Sequence, residues 1–360
     1  MNSNQSDICI VTTRNIFDAP CLAKYQSLVS KSFDIIYWDR CGIDESCDAC
    51  NCFRFEKIIS PNSGKLKKLQ AYIEFMHFIN KILVTRTYKK LIIFPTQAAW
   101  LIRHQLSKRY KNKYILDIRD YAGENHALFK WLTQKAVKNA GICSITSPAY
   151  RLFLPSRNYI VSHNIQPIDE KIIMDYRSRK HIEGEPISLS FIGSVRFIDQ
   201  QKKILMVFKN DPRFHLNYIG KGSEQLADFC KEQDIRNITL IGRFDRSQLP
   251  YYYLKTDVAI NVYGNHDPYL DYALSNKLYS AALMGMPILV SPNTYMADIA
   301  QKYGFGFSFN MLDCNICNAF YKWYCQIDIS SLRKGCDDFY HHVLEDEEIF
   351  KSTVNSFLNS

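Results

Sequence analysis

Lys277 stands where helix electrostatics disfavour a cation. Ser275 has the chemistry of an N-cap, Asn276–Met284 reads as the helix it starts, and Gly285 reads as its stop. The first turn of such a helix presents free N–H groups and the positive end of its dipole, which favour an anion. An ammonium in that turn makes sense when a diphosphate sits between it and the helix; the plainer alternative is a solvated lysine. Three more cations follow apparent strands. Gly193-Ser194-Val195-Arg196 comes after Ile187–Ile192, Gly220-Lys221-Gly222 one strand later, and Gly242-Arg243 one strand after that. Glycine lets a backbone approach closely, and arginine offers phosphate a bidentate fork. Together these turns and the capped helix predict a converging anion site.

The first half offers different chemistry. Asp117-Ile118-Arg119-Asp120-Tyr121 closes a strand, Tyr114–Ile118. Alternation puts Asp117 and Arg119 on one side, with Asp120 at the edge. An aspartate at a strand's carboxyl end can orient or deprotonate a hydroxyl; equally, Asp117 and Arg119 can form a pair that holds the loop. Ser162-His163-Asn164 ends the last strand of this half, where His163 serves either as a cleft hydrogen-bonder or as a satisfied edge histidine. Thr13, Arg14 and Asn15 follow the first strand, where a dinucleotide-binding protein would carry a glycine-rich loop. The G-x-G-x-x-G pattern is absent there, which argues against an NAD enzyme.

The elements that must position these residues alternate. Strands are expected at Ile8–Thr12, Phe33–Asp39, Cys52–Ile58, Lys90–Pro95, Lys113–Ile118, Ile142–Thr146, Leu152–Pro155 and Tyr159–His163, with helices at Cys21–Lys31 and Leu66–Thr85. Strand–helix alternation predicts a doubly wound α/β domain. Residues 165–186 are polar and read as a connection. A second α/β domain runs from about Ile187 to about Asn310, followed by a helical tail, Met311–Ser360, whose last part is amphipathic.

Composition bounds the rest. At 360 residues the chain has room for two domains. The longest apolar runs fall short of a membrane-spanning helix, and the N-terminus lacks a secretory pattern, so a cytoplasmic location with reduced thiols is expected. Cys47-x-x-Cys50-x-Cys52 has only a superficial likeness to zinc ligands, and no metal site is expected. Residues 1–165 carry 24 Lys+Arg against 12 Asp+Glu, whereas residues 166–360 carry 21 against 24. A basic first half points to an anionic surface or substrate, or to a solvated basic face. Net charge is the sole feature favouring nucleic acid, and no nucleic-acid partner is expected.

The words FIGSVR, YIGKGSE, LIGRFDRSQLP, ALSNKLYSA and GMPILVSPNTYMADIAQKYGFG resemble the donor-binding domain of bacterial capsular and surface-polysaccharide glycosyltransferases, within or near glycosyltransferase family four. DIRDY, ITSPAYRLFLP and SHN resemble the acceptor-side domain of the same group. The resemblance runs from about Ile8 to Gly306. It implies the GT-B architecture: two doubly wound Rossmann-like domains facing a cleft, with a C-terminal helix packing back across. The expected divisions are 1–166 for the acceptor side, 167–335 for the donor side and 336–360 for the returning helix.

By this resemblance Arg196, with Lys202 as a second candidate, neutralises a departing nucleoside diphosphate. Lys277 and the amides after Ser275 and Asn276 hold phosphates; Gly193, Ser194, Gly220, Lys221 and Arg243 line the site, with the Gly242–Phe244 turn near the base. Asp117, Asp120 and Arg196 are the catalytic candidates, and Arg14, Arg119, His163 and Asn164 face the acceptor. The donor is a nucleoside diphosphate sugar, and transfer needs neither a protein nucleophile nor a metal or other cofactor. The acceptor is a glycan, lipid-linked in many relatives. The cations of Lys65–Lys68 and Leu101–Lys113 would then meet anionic lipid at the inner leaflet of the membrane. The chain departs from the family in places: Tyr272 and Ser280 stand where it commonly has glutamates, so the usual ribose-binding glutamate is missing, and Gly193-Ser194 replaces its usual Gly-Arg, with Arg196 two residues later. That departure motivates an alternative, a non-catalytic GT-B subunit or glycan-binding partner. A nucleotide-sugar epimerase on the same architecture is a third reading.

Overall fold

The structure, a computed structural model, describes residues 6–29, 32–45, 47–60, 63–179 and 184–360. It divides into two compact units, Met1–His163 with Glu345–Ser360, and Asn164–Leu344. The expected divisions lay three residues later at the first boundary and near residue 335 at the second.

The first unit runs β1 (Ile8–Thr12), α1 (Cys21–Leu28), β2 (Phe33–Asp39), β3 (Asn51–Glu56), α2 (Lys65–Thr85), β4 (Lys90–Phe94), α3 (Thr96–Leu101), α4 (Arg103–Lys108), β5 (Tyr114–Ile118), α5 (Ala127–Asn139), β6 (Ile142–Ile145) and β7 (Ile160–Val161). Its sheet has the order β3-β2-β1-β4-β5-β6-β7, all parallel. Every residue of β1, β2 and β5 is buried, as a parallel sheet covered on both faces requires. The order reverses between β1 and β4.

The second unit begins with α6 (Glu170–Ser178), a helix where the sequence suggested only a polar connection. The Asp169 carboxylate caps it by accepting the Lys171 N–H. Residues 180–183 of that expected connection lie outside the described residues, as do Ser30 and Lys31 at the expected end of α1. Then come β8 (Ile187–Ile192), α7 (Ile198–Val207), β9 (Phe214–Ile219), α8 (Ala227–Glu232), β10 (Ile238–Ile241), α9 (Leu249–Leu254), β11 (Val258–Asn261), α10 (Pro268–Asp271), α11 (Asn276–Met284), β12 (Ile288–Val290), α12 (Tyr295–Lys302), β13 (Gly306–Ser308), α13 (Ile316–Cys325) and α14 (Ile329–Asn359). The parallel sheet has the order β10-β9-β8-β11-β12-β13 and reverses between β8 and β11.

α14 contributes to the core of each unit. Leu332, Cys336, Phe339 and Val343 join the core of the second unit, and Phe350, Val354 and Leu358 join that of the first. Within each unit's part of the helix, steps of three and four residues keep these side chains on one face.

Three expected strands differ, and the one at Tyr159–His163 shortens to Ile160–Val161. Leu152–Pro155 is not a strand: a 3-10 turn, Pro148–Leu152, occupies this region, with proline at its first position and the Tyr150 hydroxyl donating to the Arg119 carbonyl. β3 stops at Glu56 rather than Ile58 because its partner β2 ends at Asp39. The Asp39 carboxylate turns the chain there. It accepts from Asn15 Nδ2 (2.8 Å), from the Cys41 and Gly42 N–H groups and from the Arg54 guanidinium (2.7 Å). Burial alone would raise this carboxyl; the bonds from Asn15, the Cys41 backbone and Arg54 overcome it and hold the pKa at about 2, below the ordinary 3.8. Because the folded value is depressed, this stabilisation is complete above about pH 4 and is lost as pH falls towards 2. Urea midpoints measured between pH 5 and 2 are therefore expected to fall more steeply in the native protein than in Asp39→Asn; equal slopes would show that Asp39 does not carry the acid sensitivity.

Candidate functional site

In the second unit the reversal of strand order sets β8 beside β11, and α11 sends Lys277 into the crevice at their carboxyl ends. Lys277 is only 8% exposed. Its ammonium donates to the Tyr263 hydroxyl at 2.6 Å and lies 4.2 Å from the centre of the Phe191 ring and 5.0 Å from that of Tyr263. Tyr263 in turn stands edge-on to Phe191 and Phe197. Among the described residues no carboxylate pairs with this ammonium. An ammonium has three donors, and a buried cation with one neutral oxygen partner retains much of its desolvation cost. An incoming anion removes that cost.

The helix start beside it is open. Ser275 has the extended backbone of an N-cap, but its hydroxyl donates to Asn261 Oδ1 (2.8 Å) instead of capping the helix. Among the described residues the N–H groups of Asn276 and Lys277 have no protein acceptor. The helix ends as expected, with Gly285 left-handed and N–H groups returning to Ala281 and Ala282. Two free amides, the positive helix end and a buried ammonium thus point into one space.

Gly193 forms the floor of that space: a Cβ on it would lie 3.7 Å from Lys277 Nζ. Ser194, Arg196 and Lys221 are exposed at the rim, while the Val195 N–H donates to the Lys221 carbonyl and ties the two turns together. Arg243 is also exposed, but it follows β10, two strands from β8 and about 10 Å away at ordinary strand spacing. The structure therefore brings Gly193, Ser275, Asn276 and Lys277 together, sets Ser194, Arg196, Gly220 and Lys221 beside them, and leaves Arg243 on the edge. Lys202 lies over the Phe229 ring instead of the site. Ser280 is 4% exposed and hydrogen-bonded to Tyr253, so the position offers a hydroxyl already engaged in the core and no carboxylate.

The first-unit candidates are paired. Asp117 is fully buried; its oxygens take Arg119 Nη1 and Ser144 Oγ, both at 2.9 Å. Of the two readings open for Asp117, this is the structural pair, and a buried carboxylate so occupied cannot meet a reacting hydroxyl without breaking it. Asp120 is half-exposed and accepts from Arg14 at 2.8 Å, joining the loops after β1 and β5. His163 is buried, with Nε2 2.9 Å from Asp346, its N–H donating to Glu347 and its carbonyl accepting from Lys24. Here too the geometry is that of a satisfied histidine. Asn164 begins the second unit.

Sequence reasoning missed Tyr263, Phe191 and Asn261, the partners that shape the Lys277 pocket. The available signal was the Asn261-Val262-Tyr263-Gly264 word, a strand end carrying an amide and a phenol just before a glycine.

No protein-family model matches the chain, and no curated protein does. Among solved structures it is similar over almost its whole length to three proteins of low sequence identity. One is sucrose-phosphate synthase from Thermosynechococcus elongatus (TM-score 0.68, 13% identity, 98% of this chain and 99% of that one). The second is HepE from Anabaena in complex with UDP (0.65, 11%, 97% and 100%). The third is WaaG, a glycosyltransferase involved in lipopolysaccharide biosynthesis (0.57, 12%, 93% and 95%). The two doubly wound parallel sheets are those of the GT-B fold.

Inorganic pyrophosphate is expected to protect the protein against thermal unfolding, and Lys277→Met to weaken that binding roughly 10–100-fold, the cost of a lost hydrogen bond to a charged group. Without pyrophosphate the variant should melt no lower than the native protein, because the lost charge was buried and unpaired. A variant that melts much lower but binds normally would make Lys277 structural.

Proposed function

We propose that the protein is a glycosyltransferase that takes a sugar from a nucleoside diphosphate sugar and passes it to a glycan acceptor, lipid-linked, in the assembly of cell-surface polysaccharide. The observation that carries this reading is the buried Lys277 ammonium facing the open start of α11 at the strand-order reversal of the second unit. Support comes from the UDP in the HepE structure and from WaaG's involvement in lipopolysaccharide biosynthesis. In this reading the diphosphate lies between Lys277 and the amides of Asn276 and Lys277, with Arg196 at the rim. Bond cleavage builds charge on the leaving phosphate, and fixed donors that meet it lower the barrier. The same phosphate oxygen accepts the acceptor's proton, so neither a protein nucleophile nor a metal is needed. With Ser280 engaged by Tyr253, the ribose must find other partners, and this is what favours a second reading, a non-catalytic GT-B subunit that binds the nucleotide without turnover.

Thermal shift across UDP-, GDP-, ADP- and CMP-sugars, followed by assay of nucleotide release with glycan acceptors, tests the two readings. One donor class is expected to bind. Turnover should persist with EDTA and should fall roughly 10²-fold in Arg196→Ala. Binding without release for any acceptor would favour the non-catalytic subunit, and no binding of any nucleotide would reject both.

A lipid-linked acceptor is to be met on the cytoplasmic face of the membrane. Among the described residues no helix is long and apolar enough to cross a membrane. α2, however, exposes Leu66, Leu69, Ile73 and Val84 at helical spacing beside the exposed Lys65, Lys67 and Lys81. An apolar stripe flanked by cations suits the surface of an anionic bilayer, where each cation contributes ~1 kcal/mol. Leu101–Lys113 contributes charge alone, because Ile102, Leu106 and Tyr110 are buried. The protein should float with liposomes containing anionic phospholipid and not with neutral ones, and Leu66→Glu with Ile73→Glu should abolish flotation. Flotation independent of lipid charge or of these residues would exclude α2 as the contact.

A further inference from the structure

Twelve cysteines are present, and four of them (Cys41, Cys47, Cys50 and Cys52) fall within the short stretch that joins β2 to the start of β3. Their spacing suggests metal ligands, yet among the described residues no three His, Cys, Asp or Glu side chains converge on one point. What the fold brings together is a single pair. Cys47 Sγ and Cys52 Sγ lie 3.4 Å apart, in hydrogen-bond contact. Cys52 is exposed at the start of the edge strand β3, and Cys47, half-buried, packs against the first unit's core and is thereby held in place. Cys41 and Cys50 are both exposed.

We propose that Cys47 and Cys52 form a thiol–disulfide modification site that closes into a disulfide when the protein meets a small disulfide such as oxidised glutathione. The Cys47 thiolate attacks one glutathione sulfur; the glutathione S–S bond breaks, one glutathione thiolate leaves, and Cys47 carries the other as a mixed disulfide. Cys52 then loses its proton to water, attacks the Cys47 sulfur and expels the second glutathione. Two protein thiols are oxidised, and one glutathione disulfide is reduced to two thiols. Burial and then the neighbouring Cys47 push the Cys52 thiol up, which slows its loss of a proton in the closing step.

The bridge has a structural consequence. Two residues before Cys47, the Glu45 carboxylate accepts from Asn15 Nδ2 (2.9 Å) and from the N–H groups of Ile16 (3.0 Å) and Phe17 (2.6 Å). Glu45 therefore clamps the loop after β1, which also carries Arg14 and its bond to Asp120. Tying Cys47 to β3 fixes one end of the segment that delivers this clamp, so oxidation stiffens the β1 loop.

The test uses the full chain, reduced and then equilibrated in buffers of set reduced-to-oxidised glutathione ratio. Trypsin, cutting after Arg40 and Arg54, releases one peptide with all four loop cysteines, and cleavage before Asp44 and Asp48 separates Cys47 from Cys52. The expected result is loss of two thiols, recovery of Asp44–Cys47 linked to Asp48–Arg54 through Cys52, and reversal by dithiothreitol. Cys50→Ser should leave the link intact, while Cys47→Ser and Cys52→Ser should each abolish it. Amide hydrogen exchange at Ile16 and Phe17 should slow severalfold in the oxidised form. A link through Cys41 or Cys50, a glutathione adduct that never closes, or no thiol loss would overturn the proposal, and unchanged exchange at Ile16 and Phe17 would overturn its coupling to the β1 loop.

Discussion

The carbonyl oxygen of Gly193 lies where a side chain on residue 220 would have to go. A Cβ added to Gly220 would come within 2.0 Å of it, at a φ of +138° that other residues rarely adopt. This contact lets the strand-end turns of β8 and β9 lie backbone against backbone. The ladder then continues beyond the strands, from the Gly193 N–H to Ile219, from Val195 to Lys221 and from Gly220 to Ile241. With a side chain at residue 220 the two loops would have to separate, and the floor that Gly193 gives the space beside Lys277 would shift. Closing it this way leaves a shallow space bounded by backbone, into which Lys277 reaches from α11. The unpaired ammonium is costly in the free protein, and the packed turns leave it no solvent to retreat to. The proposed anion site would thus depend on backbone packing as much as on charge.

How far the sequence carried this reading depended on which physical signal each element sends. Largely apolar words such as ICIVT and KLIIF have one good outcome, a parallel strand covered on both faces, and they form β1 and β4. The glycine turns and the Ser275–Gly285 helix were equally legible, because left-handed glycines and helix ends impose local rules. Leu152–Pro155 misled because an apolar run between prolines has strand composition, while a distant bond from Tyr150 to the end of β5 decided its shape. α6 was missed because it is a short helix inside a polar stretch, capped by Asp169 and held by packing Tyr176, Ile172 and Ile173 on the second unit's core.

Site residues followed the same division. Lys277 could be singled out because a cation in a helix's first turn breaks a local rule. That Ser275 turns its hydroxyl to Asn261, leaving the helix amides open, could not be read from sequence, since it depends on which residue ends β11. Asp117 and His163 were ambiguous for a similar reason. A carboxylate or imidazole at a strand end is compatible with chemistry or with structure until its partners are known, and those partners, Ser144 and Asp346, lie 27 and 183 residues away.

Net charge by half of the chain pointed to the first half as the place for an anionic partner, and the distribution of paired and unpaired charge qualifies that. At the carboxyl ends of the first sheet several cations are paired with carboxylates: Arg14 with Asp120, Arg54 with Asp39, Arg119 with Asp117 and Lys24 with Glu347, while Arg40 lies over the Trp38 ring and donates to the Tyr72 hydroxyl. The excess of that half lies on exposed helices such as α2, where it suits a diffuse surface. The second half carries more acid than base overall. Yet at the carboxyl ends of its sheet Arg196, Lys221 and Lys277 have no carboxylate partner among the described residues, and the most buried of the three sits at the strand-order reversal. Selective recognition of an anion needs desolvated cations without internal partners, whatever the total charge around them. By that criterion the weakly acidic half is the better place for the proposed anion site, whatever its total charge.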